Sequence, residues 1–224
     1  MRLLVTRPEA DAARTAEALR ARGHEAQVAP LLRIESVNVE FGGPFDVVLM
    51  TSANAARAIA AHPRAVELFS LPCLTVGDRS AEAARTAGFT RVESADGALP
   101  DLVRLVTQRH ANGRLLYLAG EDRAGEFSSH GVAVETAVVY RAVPVEKLPP
   151  DVARARLDGV LHYSRRSAAT LLRLAEQAGA LNAVLGLAHY CLSAEVAAPL
   201  RAAGAERIAV AASPTESALL TLLK

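Results

Sequence analysis

The stretch RLLV at residues 2–5 returns as RLLY at residues 114–117, and FDVVL at residues 45–49 returns as LDGVL at residues 157–161. Both pairs are 112 residues apart. Internal similarity at so long a spacing indicates duplicated domains rather than a solenoid of short repeats. The sequence therefore predicts two similar lobes, and a cleft between two lobes is a common place for a ligand.

Around these stretches, short apolar runs alternate with amphipathic segments, which is typical of βα units in a parallel sheet covered by helices on both faces. The predicted fold class is therefore α/β. We expect strands at residues 3–5, 26–29, 47–50, 73–76, 115–118, 134–139, 159–163, 188–191 and 207–210. The segments Glu35–Pro44 and Pro144–Asp151 are the predicted connectors between lobes, because their prolines and glycines disfavour regular structure.

Hydroxyl side chains stand before the amphipathic segments, where they can accept hydrogen bonds from the first free N–H groups of a helix. We predict helix caps at Ser52 or Asn54, at Ser80, Ser164 and Ser193, and within Ser213-Pro214-Thr215. Two glycines, Gly23 and Gly88, mark the predicted ends of helices.

Composition excludes several classes of function. The chain has 224 residues, and its 25 basic and 24 acidic side chains leave a net charge of +1, too little for a nucleic-acid or membrane surface. No stretch approaches the ~18 consecutive apolar residues of a membrane helix, and the N-terminus lacks a signal-peptide pattern. We therefore predict a cytoplasmic protein that binds neither nucleic acid nor membranes.

The predicted strand-to-helix turns carry hydroxyl, amide, glycine and arginine residues. In open α/β sheets, ligands collect at the carboxyl ends of strands, where helix N-termini hold anions. This set suits a small molecule with several carboxylates or phosphates. At a single turn the alternative is an ordinary cap beside a solvated arginine, but recurrence in both lobes favours binding. The predicted binding residues are Thr6, Arg7, Thr51, Ser52, Asn54, Gly77, Arg79, Ser80, Gly120, Arg123, Ser164, Arg165, Ser193, Pro214 and Thr215.

The sequence lacks the common motifs for cofactors and metals. No glycine-rich nucleotide loop is present, and the six histidines have no metal-ligand spacing. Cys73 and Cys191 lie in apolar strand-like runs, and we predict that they are reduced thiols in the core. No serine stands in a nucleophile-elbow pattern. We therefore expect neither a cofactor nor a metal.

Several short motifs, taken in order, resemble the uroporphyrinogen-III synthase family along the whole chain. They are Thr6-Arg7-Pro8, Pro30-Leu31 after Gly23, Thr51-Ser52-Ala53-Asn54, Val76-Gly77 leading to Ser80-Ala81, Val139-Tyr140-Arg141, and Ser213-Pro214-Thr215. The resemblance implies a lyase of porphyrin and heme biosynthesis. Such an enzyme closes linear hydroxymethylbilane into a macrocycle without a cofactor, losing water and inverting the terminal pyrrole ring.

The resemblance also implies two α/β lobes joined by a two-stranded linker. By that analogy, one lobe comprises residues 1–35 and 146–224, and the other comprises residues 38–142. We expect a monomer that contacts the preceding enzyme of the pathway only transiently.

Tyr140 is the catalytic residue that the resemblance implies, because the family has a tyrosine in this strand. A phenol is protonated at neutral pH and could donate a proton to the departing hydroxyl. The alternatives are a strand aromatic with its hydroxyl at the surface, or catalysis chiefly by bringing the chain ends together.

The chain departs from the family pattern in three places. Only ten residues separate Gly120 from Gly131, so we expect a short or irregular helix there, which affects Arg123. Ser193-Ala194-Glu195 replaces a glycine-threonine pair, and the charge of Glu195 opposes anion binding. Arg165-Arg166 replaces a more neutral pair.

A second class of function shares duplicated lobes and a cleft. It comprises non-catalytic two-lobed binding proteins, of the periplasmic type or as sensors, that hold a polyanionic small molecule. The missing signal peptide argues against the periplasmic type, and the order of motifs argues against both. Turnover of hydroxymethylbilane separates the two classes.

Overall fold

The computed structural model describes residues 1–123, 125–150, 152 and 156–223. The chain divides into two compact units. Unit 1 comprises Met1–Arg33 and Val143–Lys224, and unit 2 comprises Ile34–Ala142.

Strands and helices alternate along most of the chain. In order, the described elements are β1 (Arg2–Val5), α1 (Glu9–Arg20), β2 (Glu25–Val28), β3 (Leu32–Ser36), β4 (Val47–Met50), α2 (Ala53–Ala60), α3 (Ala65–Leu68), β5 (Pro72–Thr75), α4 (Asp78–Ala87), β6 (Arg91–Ser94), α5 (Leu99–His110), β7 (Leu115–Gly120), a 3-10 helix (Phe127–His130), β8 (Glu135–Pro144), β9 (Gly159–His162), α6 (Arg165–Gln177), α7 (Leu181–Leu185), β10 (Ala188–Cys191), α8 (Ala194–Ala202), β11 (Ile208–Val210) and α9 (Glu216–Leu220).

Unit 1 contains a five-stranded parallel sheet in the order β11-β10-β9-β1-β2. Successive strand residues point to opposite faces, so Leu4 packs with Leu171 and Leu174 of α6, whereas Leu3 packs with Leu19 of α1 and Leu219 of α9. Burial on both faces explains why the central strands are continuously apolar.

Unit 2 contains a six-stranded sheet in the order β3-β8-β7-β4-β5-β6, in which β4 to β8 run parallel. One face packs Val48 and Met50 against Ile59 of α2, and the other packs Leu49 against Leu102 of α5. The predicted α/β class with parallel sheets is confirmed.

The two units that carry the duplicated sequence have equivalent hydrogen bonds and the same strand order. In unit 2 the Asp46 carboxylate accepts the N–H of Arg114 at 2.7 Å, and in unit 1 the Asp158 carboxylate accepts the N–H of Arg2 at 2.6 Å. Both bonds join the starts of the two central strands. The order β6-β5-β4-β7-β8 therefore corresponds to β11-β10-β9-β1-β2.

Two strands of unit 2, β3 and β6, were not predicted. Both lie at an edge of the sheet and are half exposed, so neither has a long apolar run. β3 extends through Ser36 and so includes the first two residues of the predicted connector Glu35–Pro44. In the second connector β8 extends through Pro144, and Asp151 lies outside the described residues.

Four of the predicted helix caps are confirmed. The hydroxyls of Ser52, Ser164, Ser193 and Thr215 accept backbone N–H groups in the first turns of α2, α6, α8 and α9. The prediction for Ser80 is wrong, because Ser80 is buried inside α4 and the residue before that helix is Gly77. A glycine can precede a helix without a side-chain cap.

Two buried thiols and two buried histidines belong to the cores. Cys73 and Cys191 are free, and burial raises their pKa values to about 12 and about 11. His162 Nε2 lies 3.0 Å from His189 Nδ1, and His189 Nε2 lies 3.1 Å from the Val184 carbonyl. Burial and the neighbouring His189 lower the pKa of His162 to about 3, and burial lowers that of His189.

This histidine pair predicts a loss of stability in mild acid. The unfolded chain takes up protons below about pH 6.5, whereas in the folded chain His162 has a pKa of about 3 and the pKa of His189 is also lowered. Each histidine then contributes up to about 1.4 kcal/mol of destabilisation per pH unit. We expect the free energy of unfolding, measured in urea between pH 7.5 and 4.5, to fall less steeply in His162→Gln. Parallel pH profiles would contradict this.

Candidate functional site

The predicted binding residues all lie near the carboxyl ends of strands. In unit 1 these are Thr6, Arg7, Ser164, Arg165, Ser193, Pro214 and Thr215, and in unit 2 they are Thr51, Ser52, Asn54, Gly77, Arg79, Ser80, Gly120 and Arg123, together with Tyr140 of β8. All strands of the unit 1 sheet, and β4 to β8 in unit 2, are parallel, so each set lies at one edge of its sheet.

Unit 2 has a pocket of about 440 Å³ at this edge. It brings together five of the predicted residues, Thr51, Ser52, Gly120, Arg123 and Tyr140. It opens beyond the carboxyl ends of the neighbouring strands β4 and β7. The strand that follows β4 in the chain lies on one side of this pair, and the strand that follows β7 lies on the other side. Open α/β sheets commonly bind ligands at such a position. Asn54, Gly77, Arg79 and Ser80 are not among the described lining residues.

The rest of the pocket wall was not predicted. It consists of Val76, Gly97, Ala98, Leu99, Pro100, Tyr117, Asp122 and Gly125. Residues 97–100 follow β6, which was missed as a strand. The signal available in the sequence was Asp96-Gly97, a typical turn pair. Asp96 has φ 51°, and Asp101 accepts the N–H of Ala98 at 2.9 Å.

A β-bulge positions Tyr140. The register pairs Ala119 with Val138 and then Gly120 with Tyr140, so Val139 is an extra residue in β8. Bulges redirect side chains and are frequent beside active sites. A Cβ atom at Gly120 would lie 2.5 Å from the Tyr140 ring, so only glycine permits the ring to lie there.

Two further hydroxyls meet at the pocket. Tyr117 Oη lies 2.7 Å from Thr51 Oγ1, and the Tyr117 ring packs edge-on against Phe127 with centroids 4.8 Å apart. Burial raises the pKa of Tyr117, although the hydrogen bond with Thr51 opposes the shift. The phenol is therefore neutral at physiological pH.

Arg123 supplies positive charge at the wall. Its guanidinium lies 2.7 Å from the Glu126 carboxylate and donates to the Gly120 carbonyl at 3.4 Å. The prediction of a short or irregular segment between Gly120 and Gly131 is confirmed, because its described helix is a four-residue 3-10 turn. Substrate binding by Arg123 stays a prediction.

In unit 1 an ion cluster lies at the corresponding edge of the sheet. Arg7, only 8% exposed, donates to Glu216 at 2.9 Å and to Thr15 at 3.1 Å, and it stacks 3.9 Å from the Tyr163 ring centroid. Asp11 is a second carboxylate partner at 3.4 Å. These contacts give Arg7 a structural role, and its predicted binding role is not tested by them.

Glu216 is the centre of this cluster. Burial alone would raise the pKa of Glu216, but hydrogen bonds from Thr15 and Tyr163 and the charge of Arg7 outweigh burial and lower it. The carboxylate therefore stays ionised and neutralises the buried guanidinium.

The other predicted residues of unit 1 are mostly helix starts. Ser164, Ser193 and Thr215 accept N–H groups, Thr6 is buried, and Arg165 and Pro214 are exposed. Glu195 lies exposed in the first turn of α8, where a carboxylate interacts favourably with the helix dipole.

Two observations on the described part of the chain concern metals and membranes. No group of three or more His, Cys, Asp or Glu side chains there could hold a metal ion. None of its helices has the length and apolar character that crossing a membrane requires.

A parallel sheet with a pocket beyond its central strands is the arrangement in which α/β proteins commonly bind small molecules. The family model described as uroporphyrinogen-III synthase HemD matches residues 13–221. The chain therefore belongs to the uroporphyrinogen-III synthase family, and the family resemblance is confirmed.

Solved structures agree with this fold. Uroporphyrinogen-III synthetase from Helicobacter pylori has 17% identity and a TM-score of 0.68, with 99% of this chain and 98% of that chain covered. A mutant uroporphyrinogen III synthase from Thermus thermophilus has 18% identity and a TM-score of 0.53, with 99% and 96% covered. A search among curated proteins gives no significant match.

The ion cluster of unit 1 predicts a large effect on stability. Glu216→Gln removes one of the two carboxylates beside the buried Arg7 guanidinium. We expect the free energy of unfolding in urea to fall by about 2 kcal/mol, below the full value for a buried pair because Glu216 is partly exposed. The control Arg165→Ala should change it by less than about 0.5 kcal/mol. Equal stability of the two variants would refute the structural role.

Proposed function

We propose that this chain is a uroporphyrinogen-III synthase that cyclises hydroxymethylbilane, with loss of water and inversion of the terminal ring. The observation that carries the proposal is the family match over residues 13–221, and the pocket in unit 2 supports it. Members of this family are cyclising lyases of heme biosynthesis. Family membership also argues against the alternative of a non-catalytic binding protein.

The pocket suits one pyrrole ring with its acidic side chains. Val76, Leu99 and the tyrosine rings supply apolar surface, and Thr51 and Ser52 supply hydroxyls. Hydroxymethylbilane carries eight carboxylates. Charge-assisted hydrogen bonds from hydroxyls and Arg123 would hold these groups more strongly than neutral ones.

In the proposed mechanism Tyr140 acts as the general acid. Its phenol donates a proton to the departing hydroxyl, the C–O bond breaks, and water leaves. The terminal ring then attacks the carbon cation through the α-carbon that already carries a methylene bridge. The bond between that carbon and the bridge breaks, and the bridge bonds to the free α-carbon of the same ring, which inverts the ring. The proton lost from that free α-carbon returns to the phenolate. Holding the two ends within reach contributes a further part of the rate.

Four further points are proposals. The enzyme acts as a monomer, in the cytoplasm, and meets the preceding enzyme of its pathway only transiently. Its binding residues in unit 1 contact the substrate through helix starts.

The isomer of the product tests the function. Hydroxymethylbilane closes spontaneously to the uninverted type I ring, so purified protein without added metal or nucleotide should divert it to type III. Chromatographic separation of the oxidised porphyrins measures the ratio. Product that remains type I at saturating enzyme would exclude the proposed activity.

Tyr140→Phe tests the general acid, because it keeps the ring and removes only the hydroxyl. We expect kcat to fall by about 10²-fold with little change in melting temperature. A loss under roughly tenfold would assign most of the rate to positioning.

Two glycines offer a matched comparison for the position of the Tyr140 ring. Gly120→Ala places a Cβ atom 2.5 Å from the ring, whereas a Cβ at Gly186, which is not a predicted binding residue, meets no atom closer than 3.5 Å. We expect Gly120→Ala to lower kcat at least about tenfold, since small displacements in an active site are costly. Gly186→Ala should retain wild-type kcat. Equal kcat values would mean that the ring position does not matter.

A further inference from the structure

Tyr117 is one of the pocket residues that the predicted binding set did not include. Its ring belongs to the core of unit 2 and is 1% exposed, but its hydroxyl reaches the carboxyl end of the neighbouring strand. There it meets the Thr51 hydroxyl at 2.7 Å, and both residues line the pocket. A phenylalanine would fill the same core space, so packing alone does not require the hydroxyl.

The two hydroxyls together carry two protons, and the hydrogen bond between them takes up only one. Each hydroxyl carries one proton and can accept hydrogen bonds. Among the described residues, their mutual contact is the one hydrogen bond that either hydroxyl makes. One proton is consumed in that bond, whichever oxygen donates it. The other is available to an acceptor in the pocket.

The chemistry of the proposed substrate favours an anionic acceptor. The pocket wall carries the Arg123 guanidinium, which is paired with Glu126, and the Asp122 carboxylate, so the charge of the wall alone does not select an anion. The carboxylates of hydroxymethylbilane are its principal hydrogen-bond acceptors, because its pyrrole N–H groups are donors. Hydrogen bonds to a charged acceptor are about twice as strong as neutral ones. The chemical class that fits is a carboxylate.

We propose that Thr51 and Tyr117 form a hydroxyl pair that binds one substrate carboxylate in the unit 2 pocket. This inference rests on the proposed function. Tyr117 orients the Thr51 hydroxyl, and the buried ring contact with Phe127 holds the phenol in place. The pair binds the ground state and the transition state alike, so it affects KM rather than kcat.

Kinetics of Tyr117→Phe with hydroxymethylbilane test the inference. We expect KM to rise roughly tenfold, the lower range for loss of one hydrogen bond to a charged group, with kcat within about threefold. Thr51→Val should have a similar effect, and Thr51→Ser, which keeps the hydroxyl, should restore KM. In the double variant Tyr117→Phe/Thr51→Val the increases should be less than multiplicative, because the two hydroxyls act as one unit.

Tyr190→Phe is the matched control. The Tyr190 hydroxyl of unit 1 contacts only the Met1 sulfur, at 3.7 Å, among the described residues, and its removal should leave both KM and kcat unchanged. Melting temperatures show whether each variant folds. If Tyr117→Phe does not fold, the comparison of Thr51→Val with Thr51→Ser decides.

The outcomes separate this inference from the proposed function. Type III product from the wild type, with unchanged KM in Tyr117→Phe or in Thr51→Val, overturns the hydroxyl pair alone. A fall in kcat without a change in KM overturns it too, because the pair would then act in the chemical step. Wild-type protein that gives only type I product overturns the proposed function, and the inference with it.

Discussion

The contact between Asp46 and Arg114 fixes the two central strands of unit 2 against each other. The Asp46 carboxylate accepts the Arg114 N–H at 2.7 Å, and the Asp46 N–H donates to the Arg114 carbonyl at 2.9 Å. These bonds stand at the start of β4 and β7, and the pairing then runs from Val47 with Leu115 to Met50 with Leu118. The register decides which residues meet at the far end, where the pocket opens.

The two units share the same strand register but have different residues at the carboxyl edges of their sheets. Counting by the repeat of 112 residues, Tyr163 of unit 1 corresponds to Thr51 of unit 2, and Arg7 corresponds to Ala119. In unit 1 the two large side chains stack on each other at 3.9 Å. In unit 2 the two corresponding residues are small, and Thr51 lines the pocket. The same scaffold thus carries an ion cluster in unit 1 and a pocket in unit 2.

The buried strands and the helix starts could be predicted from the sequence because their signals are local. Strands covered on both faces are continuously apolar, and caps such as Ser52 and Ser164 directly precede their helices. The edge strands β3 and β6 could not be predicted, since a half-exposed strand such as RVES carries one apolar residue. With β6 unrecognised, the wall at residues 97–100 was also missed.

Long-range partners account for the rest. Arg7 and Glu216 are 209 residues apart, so nothing near Arg7 in the sequence indicates that its charge is already paired. The apolar strand around Tyr117 predicts that this residue belongs to the core. Only the register of β7 with β4 brings its hydroxyl to Thr51. The sequence therefore predicts which polar side chains lie at strand ends. It does not predict which of them line a pocket and which are paired with other residues of the chain.

The most direct test of the account is a crystal structure of the protein with bound uroporphyrinogen III. The account predicts a pyrrole ring in the unit 2 pocket, with one carboxylate within hydrogen-bond distance of the Thr51 or Tyr117 hydroxyl and the ring facing the Tyr140 phenol. Product bound elsewhere on the protein, with this pocket empty and Tyr140 without contact to it, would contradict the account.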